Sequence, residues 1–226
     1  MKLSKIFSVI LAIVLLLPLL AYADISTMDG VELQNIVNDS KAKDKVLVVD
    51  VRSNDEYNAG HIKHAINIPF AEIEADPNVL ADYKDFPIIL YCKTGKTSGK
   101  AAKILNDNGY KNITNAQGVK KFDYELFTYK NITAKMFLDM IDSNEYTIVD
   151  ARRAEDYAEG HIEGAISAPL ETLEANIDNI SKDKPVCVYC YSGSRSNAVS
   201  KKLNELGYEV YNVIDGTKEY DYKLVK

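Results

Sequence analysis

Two short segments hold the residues whose types and spacing could do chemistry: Tyr189-Cys190-Tyr191-Ser192-Gly193-Ser194-Arg195-Ser196 and, 98 residues earlier, Tyr91-Cys92-Lys93-Thr94-Gly95-Lys96-Thr97-Ser98. Each cysteine stands between an apolar run and a helix-like stretch, the later one beginning near Ser196. A cysteine at a strand-to-helix turn faces backbone N–H groups and the positive end of a helix, and both favour thiolate over thiol. Cys190 and Cys92 are therefore nucleophile candidates.

The flanking sequence repeats as well. Asp50-Val51-Arg52 and Asp150-Ala151-Arg152 each follow a β-branched run too short for a helix, which reads as a buried strand. Ten residues on come Gly60-His61-Ile62 and Gly160-His161-Ile162, then Ala65-Ile66-Asn67-Ile68-Pro69 and Ala165-Ile166-Ser167-Ala168-Pro169. Polar stretches 54–59 and 154–159 suit short helices, and apolar runs 87–91 and 185–189 suit strands that end on the two cysteines. Helical spacing follows in Ala101, Ala102 and Leu105, and in Val199, Leu203 and Leu206, with Gly109 and Gly207 as stops. Strands 113–116 and 210–214 then end near Gly118 and Gly216. Alternating strands and helices imply an α/β fold with a parallel sheet covered on both faces, in which ligands bind beyond the carboxyl ends of the strands. The seam between copies falls at 127–131, where Thr133 can cap the next helix.

At 226 residues the chain has room for two domains of about a hundred residues each. Residues 1–23 read separately: Lys2 and Lys5, an apolar run 9–20, then Ala21-Tyr22-Ala23, the order of a secretory signal peptide. The run is shorter than the roughly 18 to 20 residues of a spanning helix, so cleavage is expected rather than anchoring. The expected units are 1–23, 24–127 and 128–226, with an exported, periplasmic or otherwise extracytoplasmic location. Loss of the two lysines takes the net charge from −6 to −8, which gives no electrostatic reason to bind nucleic acid or an anionic membrane surface. Three cysteines are an odd number and do not form a disulfide framework.

With Asp-x-Arg, Gly-His-Ile and Cys-x-x-Gly-x-Arg-Ser in this order, the second half resembles the rhodanese, or sulfurtransferase, domain family, and the first half resembles a second such domain. The resemblance implies two similar compact α/β domains and a persulfide mechanism without cofactor. A cysteine would take sulfane sulfur from an anion such as thiosulfate and pass it to cyanide or to a thiol, small or protein-borne. The residues suit that chemistry. A thiolate attacking sulfur carried by an anion needs positive potential that supplies no proton. Arg195 offers fixed charge and a planar donor fork, Gly193 permits tight curvature, and Ser192, Ser194 and Ser196 offer hydroxyls. Backbone N–H groups from Tyr191 onward would cradle the terminal sulfur or the departing oxyanion. In the first loop Thr97 stands where Arg195 does; Lys93 and Lys96 restore charge, Thr94 lines the turn, and Gly95 and Ser98 are retained. Lysine lacks the bidentate fork, which ranks Cys190 above Cys92 while leaving both competent. Asp50, Arg52, Asp150 and Arg152 are expected to pair and hold neighbouring loops.

Other readings fit less well. Cys187 and Cys190 match C-x-x-C, but three residues along a strand span about 10 Å, past the roughly 7 Å limit for a disulfide. His61, His64 and His161 have no zinc-ligand spacing with the cysteines, so no metal is expected. A cysteine phosphatase places five residues between cysteine and arginine, where Cys190 and Arg195 have four between them. A non-catalytic persulfide carrier or regulatory binding module stands as the alternative, with the first loop's missing arginine its best support.

Overall fold

The computed structural model describes residues 25–226; the expected signal segment lies outside them. The first half runs β1 (Ser26–Met28), α1 (Gly30–Asn38), β2 (Leu47–Asp50), α2 (Asn54–Asn58), β3 (His61–Ile62), β4 (Ile66–Asn67), α3 (Phe70–Ala75), β5 (Ile88–Tyr91), α4 (Lys96–Asp107), β6 (Ile113–Ala116) and β7 (Leu126–Phe127). The second half repeats this as β8 (Lys130–Ile132), α5 (Ala134–Ile141), β9 (Thr147–Asp150), α6 (Ala154–Glu159), β10 (Ile166–Ser167), α7 (Leu173–Asn176), β11 (Val186–Tyr189), α8 (Ser194–Glu205) and β12 (Val210–Val213). Two separate five-stranded parallel sheets result, ordered β1-β6-β5-β2-β4 and β8-β12-β11-β9-β10. The two orders are the same when each is read from its first strand.

Period-2 alternation assigns the faces. In the first sheet Ile88, Leu90 and then Cys92 pack with Ala101, Ala102 and Leu105 of α4, while Ile89 and Tyr91 pack with Leu33 and Val37 of α1. In the second, Val186, Val188 and Cys190 meet Val199 and Leu203 of α8, and Cys187 and Tyr189 meet Phe137 of α5. Cys187 and Cys190 thus lie on opposite faces, and all three thiols are free.

Helix ends follow local chemistry. Asp29 and Thr133 cap α1 and α5 by accepting the N–H of Glu32 and Met136. Gly109 and Gly207, at φ +89° and +84°, end α4 and α8 where only glycine turns left-handed without strain. The seam is packed. β7 pairs antiparallel with β3 of the first half, whereas β8 joins the second sheet. Asn131 then donates its backbone N–H to Tyr57 Oη at 2.9 Å and its Nδ2–H to the Ala65 carbonyl at 3.0 Å, tying β8 to the first domain.

Candidate active site

Each cysteine follows the last residue of a central strand and opens the turn into a long helix. In both copies that turn is closed by a left-handed glycine, Gly95 at φ +89° and Gly193 at φ +75°. The glycine reverses the chain so sharply that the helix starts at the next residue. α8 therefore begins at Ser194, not near Ser196, and Arg195 lies in its first turn; Lys96 opens α4. A cation at a helix N-terminus opposes the helix dipole, so both loops hold positive potential at some expense to their helices.

The first loop converges on sulfur. Cys92 is 2 % exposed, and its Sγ accepts the Gly95 N–H at 3.2 Å and faces Ser98 Oγ at 3.3 Å. Burial pushes the thiol up, but the Ser98 hydroxyl and the N–H groups of Ser98, Thr94 and Gly95 outweigh it, and the net direction is down. Ser98 Oγ also donates to Asn115 Oδ1 at 2.7 Å, while Asn115 Nδ2 donates to the Gly95 carbonyl at 3.1 Å. One hydroxyl has one proton: with Cys92 as thiol it serves Asn115, and with Cys92 as thiolate it can turn to sulfur.

The second loop is wired differently. Cys190 is 1 % exposed, yet among the described residues no hydrogen bond reaches its Sγ. Ser196 Oγ points to the carbonyls of Gly193, at 3.1 Å, and Val213, at 3.3 Å. Asn212, which pairs with Val188 as Asn115 pairs with Leu90, turns instead to Asn131 and donates to its Oδ1 at 2.8 Å, so the Ser196 hydroxyl has only backbone to serve. Arg195 is half-exposed, its Nη1 3.8 Å from Asp156 Oδ2, and Lys93 makes the matching pair with Glu56 at 3.5 Å. Tyr191 is 49 % exposed beside the loop. The arginine marks the second loop, whereas the hydrogen-bond donors converge on Cys92 in the first.

Two glycines noticed only as strand-end markers build the loop walls. A Cβ on Gly118 would sit 2.5 Å from the Lys93 carbonyl carbon, and one on Gly216 would sit 2.0 Å from that of Tyr191. The residues that follow pin the loops: Val119 and Thr217 donate N–H to the Cys92 and Cys190 carbonyls at 3.1 and 3.0 Å. Asn115 was missed altogether. Its signal was an asparagine inside an otherwise strand-like run, repeated as Asn212 in the second copy.

The charged residues at the strand ends pair as expected. Arg52 donates to both oxygens of Asp50 and to the Gly60 carbonyl, and Arg152 does the same with Asp150 and Gly160. Tyr189 Oη donates to Asp150 at 2.7 Å and accepts the Ile162 N–H at 3.1 Å. These networks fix the Gly-His-Ile turns, where His61 and His161 stack on Tyr57 and Tyr157 at 3.8 Å. Burial, more than the nearby Arg52, lowers His61 to about 4 and keeps it neutral. Among the described residues no cluster of three or more His, Cys, Asp or Glu could hold a metal.

Both halves thus share one plan, a parallel-sheet domain with a cysteine just past the end of its central strand and a short loop that bears a cation. The rhodanese-like domain model matches residues 31–122 and 133–223, and the chain belongs to the rhodanese-like domain family, carrying the domain twice. It is 35 % identical over 89 residues to the thiosulfate sulfurtransferase GlpE of Coxiella burnetii, covering 39 % of this chain and 83 % of that protein. It is 36 % identical over 72 residues to the thiosulfate sulfurtransferase PspE of Escherichia coli, covering 32 % and 69 %. It is 26 % identical over 121 residues to the putative sulfur carrier protein YrkF of Bacillus subtilis, covering 53 % and 60 %. Among solved structures, an Escherichia coli rhodanese with anions is similar at 32 % identity and a TM-score of 0.33, covering 36 % of this chain and 96 % of that one.

Proposed function

We propose that this chain is an exported tandem sulfurtransferase, with units 24–127 and 128–226, that moves sulfane sulfur from an anionic donor such as thiosulfate to a thiophilic acceptor through a cysteine persulfide. The observation that carries this reading is the convergence of the Gly95 N–H and the Ser98 hydroxyl on Cys92 Sγ, with Lys93 and Lys96 on the same loop. The Cys92 thiolate attacks the outer sulfur of thiosulfate. The new S–S bond forms as the S–SO3 bond breaks, and the electron pair leaves with sulfite. Cyanide or a thiolate then takes the terminal sulfur, and the electron pair of the Cys–S–S bond returns to the cysteine. Loop N–H groups replace water around the anionic sulfur in both steps, and the lysines favour approach of the dianion.

Among the described residues no hydrogen-bond donor reaches Cys190 Sγ, and this favours a second role for the C-terminal copy: a sulfur-receiving or carrier thiol. Both roles are read by following thiocyanate from thiosulfate and cyanide with the intact protein, Cys92→Ser, Cys190→Ser and the double variant. Loss with Cys92→Ser alone, with persulfide still detectable by intact mass on Cys190, supports catalyst plus carrier. Loss only in the double variant means two working sites. Neither thiocyanate nor persulfide from the folded intact protein would remove the reading.

A further inference from the structure

The same asparagine stands beside both cysteine loops, and the two copies use it differently. Asn115 and Asn212 hold equivalent register positions, paired with Leu90 and Val188, two residues before each cysteine. Asn115 clamps its loop with both ends of the amide: Oδ1 accepts the Ser98 hydroxyl at 2.7 Å, and Nδ2 donates to the Gly95 carbonyl at 3.1 Å. With that carbonyl occupied, the Ser98 hydroxyl stays within reach of sulfur, 3.3 Å away. In the second loop the matching carbonyl, that of Gly193, takes the Ser196 hydroxyl itself.

Asn212 is fully buried and donates its Nδ2–H to Asn131 Oδ1 at 2.8 Å, while its own Oδ1 has no partner among the described residues. An orphaned buried carbonyl oxygen costs stability, and Asn131 is what holds the amide in that position. The Asn131 Nδ2 group faces two acceptors of the first domain, the Ala65 carbonyl at 3.0 Å and His61 Nε2 at 3.2 Å. The neutral His61 ring has its Nδ1 3.1 Å from the Tyr57 carbonyl, so Nδ1 carries the proton and Nε2 accepts. Asn131 is therefore obliged to present its nitrogen to the first domain and its oxygen to Asn212. In the first sheet the residue paired with Asn115 at this position is Thr27, which has no amide to compete. The helices differ too. A Cβ on Gly99 would lie 3.2 Å from Asn115 Nδ2, whereas the second copy carries Asn197 there, its Oδ1 accepting the Tyr129 hydroxyl.

We infer that Asn115 is a positioning residue for the Cys92 thiolate, and that Asn131, oriented by the first domain, withdraws Asn212 from the same task at Cys190. The docked first domain thereby sets the hydrogen bonding of the second domain's thiol. Once released, Asn212 takes the Gly193 carbonyl, frees the Ser196 hydroxyl for sulfur and gains a donor for its own Oδ1. The bearing of this wiring on sulfur transfer rests on the catalyst-and-carrier reading above; alkylation reads the wiring itself.

The test is the pH dependence of iodoacetamide alkylation at Cys190 in a Cys92→Ser background, with and without the pair Asn131→Thr and Asn197→Gly, which copies the first domain at both positions. The expected result is alkylation about tenfold faster at neutral pH with the high-pH plateau unchanged, as one added hydrogen bond to a charged acceptor predicts. Adding Asn212→Ala should cancel that gain, which a mere loosening of the seam would not. An unchanged profile in the folded variant, or a gain that survives Asn212→Ala, would overturn the assignment. Single alanine variants decide the matter if the paired variant does not fold: Asn115→Ala should slow Cys92 alkylation by about threefold or more at neutral pH, because the Gly95 carbonyl then takes the Ser98 hydroxyl, while Asn212→Ala leaves Cys190 as it was. Equal effects at the two thiols would overturn the assignment as well. Thiocyanate formation by the same variants separates the two readings, since a shifted profile without thiocyanate supports the wiring and removes the sulfur-transfer reading.

Discussion

Replacing Ser98 by alanine tests whether the hydroxyl beneath Cys92 sets its reactivity. In the thiolate state Ser98 Oγ, 3.3 Å from the sulfur, supplies one hydrogen bond to a charged acceptor, worth roughly 1.5 to 3 kcal/mol. The proton is shared with Asn115 at 2.7 Å, so the lower end applies: about 1.5 kcal/mol, or about tenfold in thiolate population where most of the thiol is protonated. The N–H donors stay, so the effect is partial. The assay is the pH dependence of iodoacetamide alkylation in a Cys190→Ser background, with adduct formation at Cys92 read by mass spectrometry. Ser98→Ala should slow alkylation about tenfold at neutral pH and leave the high-pH plateau unchanged. Ser196→Ala, tested on Cys190 in a Cys92→Ser background, should change little, because that hydroxyl serves the Gly193 and Val213 carbonyls. Equal rates for Ser98→Ala and its parent at every pH, or matching effects in the two domains, would refute the argument that donor geometry distinguishes the copies.

Burial pushes the Cys187 thiol up to about 12, so native protein should take label at Cys92 and Cys190 while Cys187 reacts only after denaturation; peptide mapping of the labelled chain decides it. Gly216→Ala brings a Cβ to 2.0 Å from the Tyr191 carbonyl and should distort the second loop, altering Cys190 alkylation with Cys92 unchanged; normal rates at both would show that the contact relaxes. Arg152→Leu strands the buried Asp150 carboxylate and should lower unfolding stability by about 3 to 5 kcal/mol in urea titration. His61, lowered to about 4 by burial, binds its proton more weakly folded than unfolded. Its contribution is present above the unfolded value near 6.5 and is lost as pH falls toward 4, by about 3 kcal/mol in all. The slope of stability against pH in that window should flatten in His61→Gln, and an unchanged slope would remove His61 as its source.

Much of the fold was legible because its determinants are local. The β-branched runs before Asp50 and Asp150 could be little but buried strands, and Gly109 and Gly207 could hardly sit mid-helix. The cysteine loops were legible for the same reason, as a strand end, a glycine and a helix start lie within six residues. What could not be read was anything fixed by partners distant in the chain. Asn115 acts on Cys92 from a neighbouring strand, and only the register that pairs Asn115 with Leu90 brings them together. The start of α8 was displaced by two residues because the left-handed turn at Gly193 is tighter than a sequence pattern reveals.

The same distinction separates what the arginine and the contact donors can each do. A charge in a motif is visible in sequence, but its effect on a thiol depends on distance and screening, and a half-exposed guanidinium close to Asp156 acts through water and a counter-ion. A hydroxyl and an N–H on the sulfur act at contact in a buried setting, where one donor outweighs a screened cation. Arg195 is then suited to drawing the anionic donor toward the loop, and Ser98 with Gly95 to holding sulfur as an anion. If so, Arg195→Ala should raise KM for thiosulfate, with a steeper loss at low ionic strength, and leave the alkylation pH profile of Cys190 unmoved. A shifted profile with unchanged KM would reverse that division and return the thiol's activation to the arginine.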